Sequence, residues 1–118
     1  MSQKFRSPCP IATTLDLIGD RWTLIILRDL LTGKTRYSEF LSSPEKITTN
    51  ILADRLERME CAGLIAKTPY QQRPVRYAYE LTEMGRGLHP MLREICRWAN
   101  RFVPGTWTPP PSFMDERA

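Results

Sequence analysis

A mainly α-helical domain carrying one small β-hairpin is the fold class this chain predicts, and three features predict it. A polar-tipped amphipathic stretch, "TTNILADRLERMECAG" (48–63), follows a short helical run after only a few residues. Two extended runs rich in β-branched and aromatic residues, "LIAKTPY" and "VRYAYELT", come directly after it. Between them lies a short basic segment, "QQRP". Together they read as a helix-turn-helix followed by a basic hairpin, the wing of a winged helix.

The chain has 118 residues, the length of one domain. It is 42% hydrophobic and 25% charged, which places it among globular rather than disordered chains. The net charge of +4 is compatible with a polyanion partner. Cys9, Cys61 and Cys96 form no CxxC pair, so neither a zinc knuckle nor a disulfide framework is suggested. That cysteine usage fits a reduced, intracellular protein. The N-terminus lacks an apolar signal core. The aliphatic run "LIIL" (24–27) is far too short to span a bilayer. The expected location is the cytoplasm, with no membrane partner, metal or cofactor.

Residues 1–8 read as a flexible lead. "PIATTLDLI" (10–18) has proline in its first turn and stops at Gly19, so a short helix is predicted. Asp20 is placed to cap a second helix, "RWTLIILRDLL", in which Trp22, Ile25, Ile26, Leu30 and Leu31 recur at core spacing. "RYSEFLSS" (36–43) predicts a third helix with Tyr37, Phe40 and Leu41 inward, stopped by Pro44.

In the fourth helix Thr48 is the predicted N-cap, with Ile47 and Leu52 placed as a hydrophobic staple. On the helical wheel Ile51, Leu52, Leu56, Met59 and Ala62 share one face. Thr49, Asn50, Ala53, Asp54 and Glu57 share the other. Its N-terminal end is therefore small, polar and dipole-positive, suited to phosphates and base edges. Glu57 and Glu60 would repel DNA, so only the first two turns are expected to enter a groove. Gly63 ends the helix.

Lys67, Arg73 and Arg76 make the hairpin basic, with no acid from Leu64 to Tyr79. Thr82 then caps a last long helix, in which Leu88, Met91/Leu92, Ile95, Trp98/Ala99 and Phe102 form a seam. Pro90 should kink or break it. One domain is read over 1–105, and the proline-rich tail 106–118 is expected to be extended or flexible.

From about Cys9 to Pro104 the chain resembles the HxlR-type helix-turn-helix transcription regulators. The matching pieces are "CPIATTLDLIGDRWTLIILRDLLTGKTRYSEF", "ITTNILADRLERMECAGLIAK" and "RYAYELTEMGRGLHPML". The resemblance implies a homodimer formed through the N- and C-terminal helices and binding to inverted-repeat DNA near promoters. For some members it also implies sensing of electrophiles or oxidants by the cysteine before the first helix.

Each site residue has a bland alternative. Thr48 is first a cap, whereas Thr49 and Asn50 point outward toward DNA, with Ala53 near enough to meet a thymine methyl. Arg55 falls on the apolar side, so an ion pair with Glu39 or Asp29 competes with a phosphate contact. Arg58 borders the polar face. Arg73 and Arg76 are solvated loop charges unless they meet phosphate or the minor groove. Arg36 begins the third helix, where family members touch the DNA backbone, while Tyr37 is assigned to the core. Cys9 precedes a helix N-terminus, a placement that favours reactive thiols, and its alternative is an inert thiol. His89, the single histidine, has no catalytic partners. Leu88, Leu92, Ile95, Trp98 and Phe102 are the expected dimer residues. A small apolar effector between the dimer helices would lie near Trp22, Trp98 and Phe102, where the aromatics also serve as core. Two rival readings are a winged helix that binds proteins and a thiol enzyme centred on Cys9. The basic wing opposes the first, and the lack of a placed histidine base opposes the second.

Overall fold

The computed structural model of the protein describes residues 5–116. Residues 1–4 and 117–118, parts of the expected lead and tail, lie outside the described residues. The element order is α1 (Pro10–Ile18), α2 (Thr23–Leu31), α3 (Tyr37–Leu41), α4 (Thr49–Cys61), β1 (Ile65–Gln72), β2 (Val75–Leu81), α5 (Glu83–Arg86), α6 (His89–Phe102) and α7 (Pro111–Met114). No helix among the described residues is long and apolar enough to cross a membrane.

The fold is the predicted mainly helical one with a single antiparallel hairpin. Its core gathers one face from each major element. Ile26 and Leu27 of α2, Phe40 of α3, and Leu52, Leu56 and Met59 of α4 are almost fully buried. Leu64, Ile65 and Leu81 close the base of the hairpin over them, and Leu92 of α6 completes the layer.

Several boundaries differ from expectation for identifiable reasons. The lead is tied down at Arg6, whose Nε donates to Asp16 at 2.7 Å. Helix α2 begins at Thr23, not at Arg21. Trp22 and not Asp20 is the cap residue, and Asp20 ties the start down from two residues earlier, its Oδ2 accepting from the backbone N–H of Trp22 at 2.9 Å and of Thr23 at 3.1 Å. The long last helix is two helices. Thr82 caps α5 through Gly85 N–H, and the chain breaks at Gly87 and Leu88. Pro90 then sits in the first turn of α6, where a missing N–H costs nothing.

The described part of the tail contains one short helix. Residues 106–110 lack regular structure, but α7 packs against the body through Phe113, which is buried. A proline-rich composition conceals one aromatic residue with a socket. A short stretch before α3 also joins the hairpin. The Tyr79 N–H donates to Thr35 O at 2.7 Å and Arg36 bridges to Ala78.

Gly63 has φ +84°, the left-handed conformation that ends a helix and that other residues adopt only under strain. Gly85 is needed for space, since a Cβ there would lie 2.2 Å from Leu64 O.

Candidate nucleic-acid interface

The tip of α4 is held from four sides. Ile47, one residue before the cap, is buried beneath it. Thr48 Oγ1 accepts from Ile51 N–H at 3.4 Å. The Tyr37 hydroxyl donates to Thr49 O at 2.6 Å, which locks α3 to the first residue of α4. The turn between the two helices is pinned from α2. Arg28 donates twice to the Glu45 carboxylate, at 2.7 and 2.8 Å, and also bonds the buried Asp29. Ser43 donates to Asp29 from the other side. The bond from Arg28, then that from the Glu45 backbone N–H and the Arg28 charge, holds the Glu45 carboxyl below its ordinary value despite partial burial.

This scaffold leaves Thr49, Asn50 and Ala53 exposed on the outer face, with Glu57 a turn further on. The peptide dipoles and free N–H groups of the first turn point the same way. Lys46 stands just before them, exposed, with a left-handed φ of 61° that turns the chain into α4.

The arginines of α4 are used differently from expectation. Arg55 Nε donates to Asp20 at 2.8 Å, and its Nη1 bonds Asp54. The partner is Asp20, not Glu39 or Asp29, because α4 crosses the corner between α1 and α2. Arg55 is thus a strut between recognition-type helix and scaffold, and both its fork edges face carboxylates. Burial raises Asp20, but the Thr23 hydroxyl, the Trp22 N–H, Arg55 and the Thr23 N–H together hold it below its ordinary value. Arg58 Nε meets Asp54 at 3.0 Å. The helix therefore presents a polar tip, not a cationic one.

The positive charge comes from the hairpin. Strand β1 pairs with β2 in register from Ile65↔Leu81 to Pro69↔Tyr77, then shifts so that Gln71 faces Arg76 and Tyr70 is the extra residue. The Arg36 guanidinium stacks on the displaced Tyr70 ring, 4.1 Å from its centroid. Lys67 is partly spent, lying 3.8 Å from Glu60 and over the Tyr77 ring. Arg73, at the turn, and Arg76 are exposed and make no ion pair among the described residues. The turn is Arg73–Pro74 alone, closed by Gln71 Nε2 donating to Pro74 O at 3.0 Å.

A second surface lies on α6. Ile95, Trp98 and Phe102 are exposed, and the Trp98 and Phe102 rings lie 5.6 Å apart. Leu88 and Leu92 face the other way. Leu92 is buried in the core and Leu88 packs against that core. The seven-residue seam thus mixes two faces of one helix. Helix α1 exposes Ile11 and Leu15. Cys9 precedes α1 and is exposed, its N–H donating to Ser7 Oγ at 3.2 Å. Cys61 is exposed too, whereas burial pushes the half-buried Cys96 thiol up.

A family model described as HxlR-like helix-turn-helix matches residues 17–106. The chain belongs to that family. Among its relatives is the uncharacterized HTH-type transcriptional regulator YdeP of Bacillus subtilis (strain 168), 39% identical over 94 residues, covering 80% of this chain and 73% of YdeP. Among solved structures, the redox regulator HypR in its oxidized form superposes with TM-score 0.71 at 34% identity, covering 79% of this chain and 96% of that one. The reduced form of the transcriptional regulator YodB from B. subtilis gives TM-score 0.68 at 28% identity, covering 86% of this chain and all (100%) of that one.

Two residues of this HxlR-like surface escaped the sequence reading. Lys46 carried a weak signal, a base two residues ahead of an N-cap. Tyr70 carried none, because a bulge depends on how two strands pair rather than on the composition of either.

Proposed function

We propose that the protein is a dimeric transcription regulator of the cytoplasm that binds a specific inverted-repeat DNA operator and catalyses no reaction. One observation carries this reading. The exposed Thr49–Asn50–Ala53 tip and a hairpin whose Arg73 and Arg76 have no ion-pair partner among the described residues are both joined to the α3 segment, the first through Tyr37 and the second through Arg36 on Tyr70. A tip of that size and polarity suits base edges in a major groove. The two arginines suit phosphates or the adjacent minor groove. Arg36 and Lys46 add backbone contacts at the flanks. Dimerisation uses the exposed Ile95, Trp98 and Phe102 of α6 with Ile11 and Leu15 of α1. Two-fold symmetry then sets half-sites about 34–36 Å apart, or a multiple of it.

Cys9 supports a redox or electrophile response. It is an exposed thiol at a helix start, and a structural relative of this chain is described as a redox regulator. A small effector between the dimer helices is the other candidate signal.

The test is binding of the purified protein to its own upstream DNA against a scrambled duplex, at two salt concentrations, with and without a thiol oxidant. Selective, salt-sensitive binding is expected. An oxidant effect that Cys9→Ser removes would establish the sensor. Indifference to oxidant would leave the regulator and discard the sensor. Equal affinity for both duplexes would refute the operator reading and favour a protein-binding winged helix.

A further inference from the structure

The C-terminal strap, residues 106–116, runs back along α6, and all of it after Thr106 lies beyond the span that the family model covers. At its start Asn100 Nδ2 donates to Thr106 Oγ1 at 2.9 Å and to Trp107 O at 2.8 Å. At its end Phe113 is 7% exposed, with its ring centroid 4.6 Å from that of His89. The Phe113 carbonyl accepts from His89 Nε2 at 2.9 Å and from Arg93 Nε at 3.1 Å. Arg93, itself 5% exposed, also donates to Asp115 O at 3.1 Å.

These partners fix the state of the ring. Nε2 faces a carbonyl and so carries the hydrogen. Nδ1 faces an Arg93 N–H at 3.4 Å and so offers a lone pair. A proton on Nδ1 would set N–H against N–H and an imidazolium against a buried guanidinium. Burial, then the Arg93 charge, keeps the imidazole below its ordinary value, with the Phe113 carbonyl acting the other way. The strap carries two carboxylates past the ring, Asp115 and Glu116, the latter 3.2 Å from Arg97, which also bonds Glu94. The charges of α5, Glu83 and Arg86, are exposed.

We propose that His89 is a proton-operated latch, which holds the strap closed over α6 when neutral and weakens its hold on residues 106–116 when protonated. The closed state binds the proton less well than the open one, so acid favours opening. The strap is therefore closed above about pH 6.5, the ordinary imidazole value. Below it the opening constant rises by up to about tenfold per pH unit until the closed state itself titrates. Neither DNA nor a dimer is needed for the latch to work.

His89 is the one histidine of the chain, so its ring signals report without overlap. In the full-length protein, hydrogen exchange of the Phe113 and Met114 amides, which both donate to Pro110 O, corrected for intrinsic rates, is followed from about pH 7.5 to about pH 5 alongside the nuclear magnetic resonance titration of His89. Protection should fall with pH while α4 stays protected, and Phe113→Ala should raise the His89 midpoint to the ordinary value. Flat protection, or an ordinary midpoint in the wild type, would overturn the latch. If Phe113→Ala does not fold, His89→Gln decides. Its amide can still donate to the carbonyl but takes up no proton, so the pH response should vanish. A surviving response overturns the assignment.

Discussion

In the proposed function Asn50 reads the sequence and Arg73 grips the backbone. Asn50→Ala should relax preference at one or two base pairs, costing about 1–3 kcal/mol of discrimination there. Arg73→Ala should weaken all sequences alike and lower the salt slope by about one. A binding titration against a panel of single-base operator variants at several salt concentrations checks both, and identical profiles for the two variants would void the assignment. Arg55 behaves differently. Its partner Asp20 lies 35 residues away, and the pair is largely shielded, at 20% and 27% exposure. Asp20→Ala should cost about 1–3 kcal/mol of stability through the lost bonds to the Trp22 and Thr23 N–H groups and the loss of one of the two carboxylates on Arg55, seen as a lower urea midpoint at unchanged slope. Because Asp20 is held below its ordinary value, this contribution is full above about pH 4 and fades as pH falls through the folded-state value. A helical wheel gives the side on which Arg55 points. It does not say which carboxylate the fold brings opposite, so the sequence offered Glu39 and Asp29 instead.

At the scale of elements, the short α7 is stabilised by its socket rather than by its own propensity, since four residues cannot hold a helix alone. Phe113→Ala should therefore detach the whole strap. The expected loss is about 3–5 kcal/mol if the socket stays empty, and less if it collapses. Thermal or urea unfolding, with proteolysis of the strap as a second readout, measures it. Elements written in local signals were legible beforehand: α4 from its 3.6-residue period, Thr48 and Gly63, and the wing from its β-branched runs. The split between α5 and α6 was half legible, because Pro90 marks a boundary without saying how many residues earlier the helix stops. The bulge at Tyr70, the pairing of Arg36 with Ala78 and the docking of Phe113 all depend on segments meeting across the fold. No window of sequence contains them.

For the whole molecule the deciding question is what covers the aromatic face of α6. Trp98 is 61% exposed and Phe102 57%, so neither contributes much to the subunit's own core. Trp107, at 77%, is exposed in the strap tied to the same helix by Asn100. Burying such rings is worth far more between subunits than leaving them in water. Trp98→Glu should therefore leave the circular dichroism and the stability of the subunit nearly unchanged while placing a charge at the centre of the proposed interface. Sedimentation should then report a monomer. Operator affinity should fall by a factor on the order of 10²–10⁴, the advantage two linked half-site contacts have over one. Affinity for non-specific DNA, which the proposed phosphate contacts of Arg73 and Arg76 would set, should fall much less. A variant that remains a dimer would move the interface off α6. A monomer that binds the full operator as tightly as wild type would show that the half-sites are read independently, and the two-fold model of recognition would have to be abandoned.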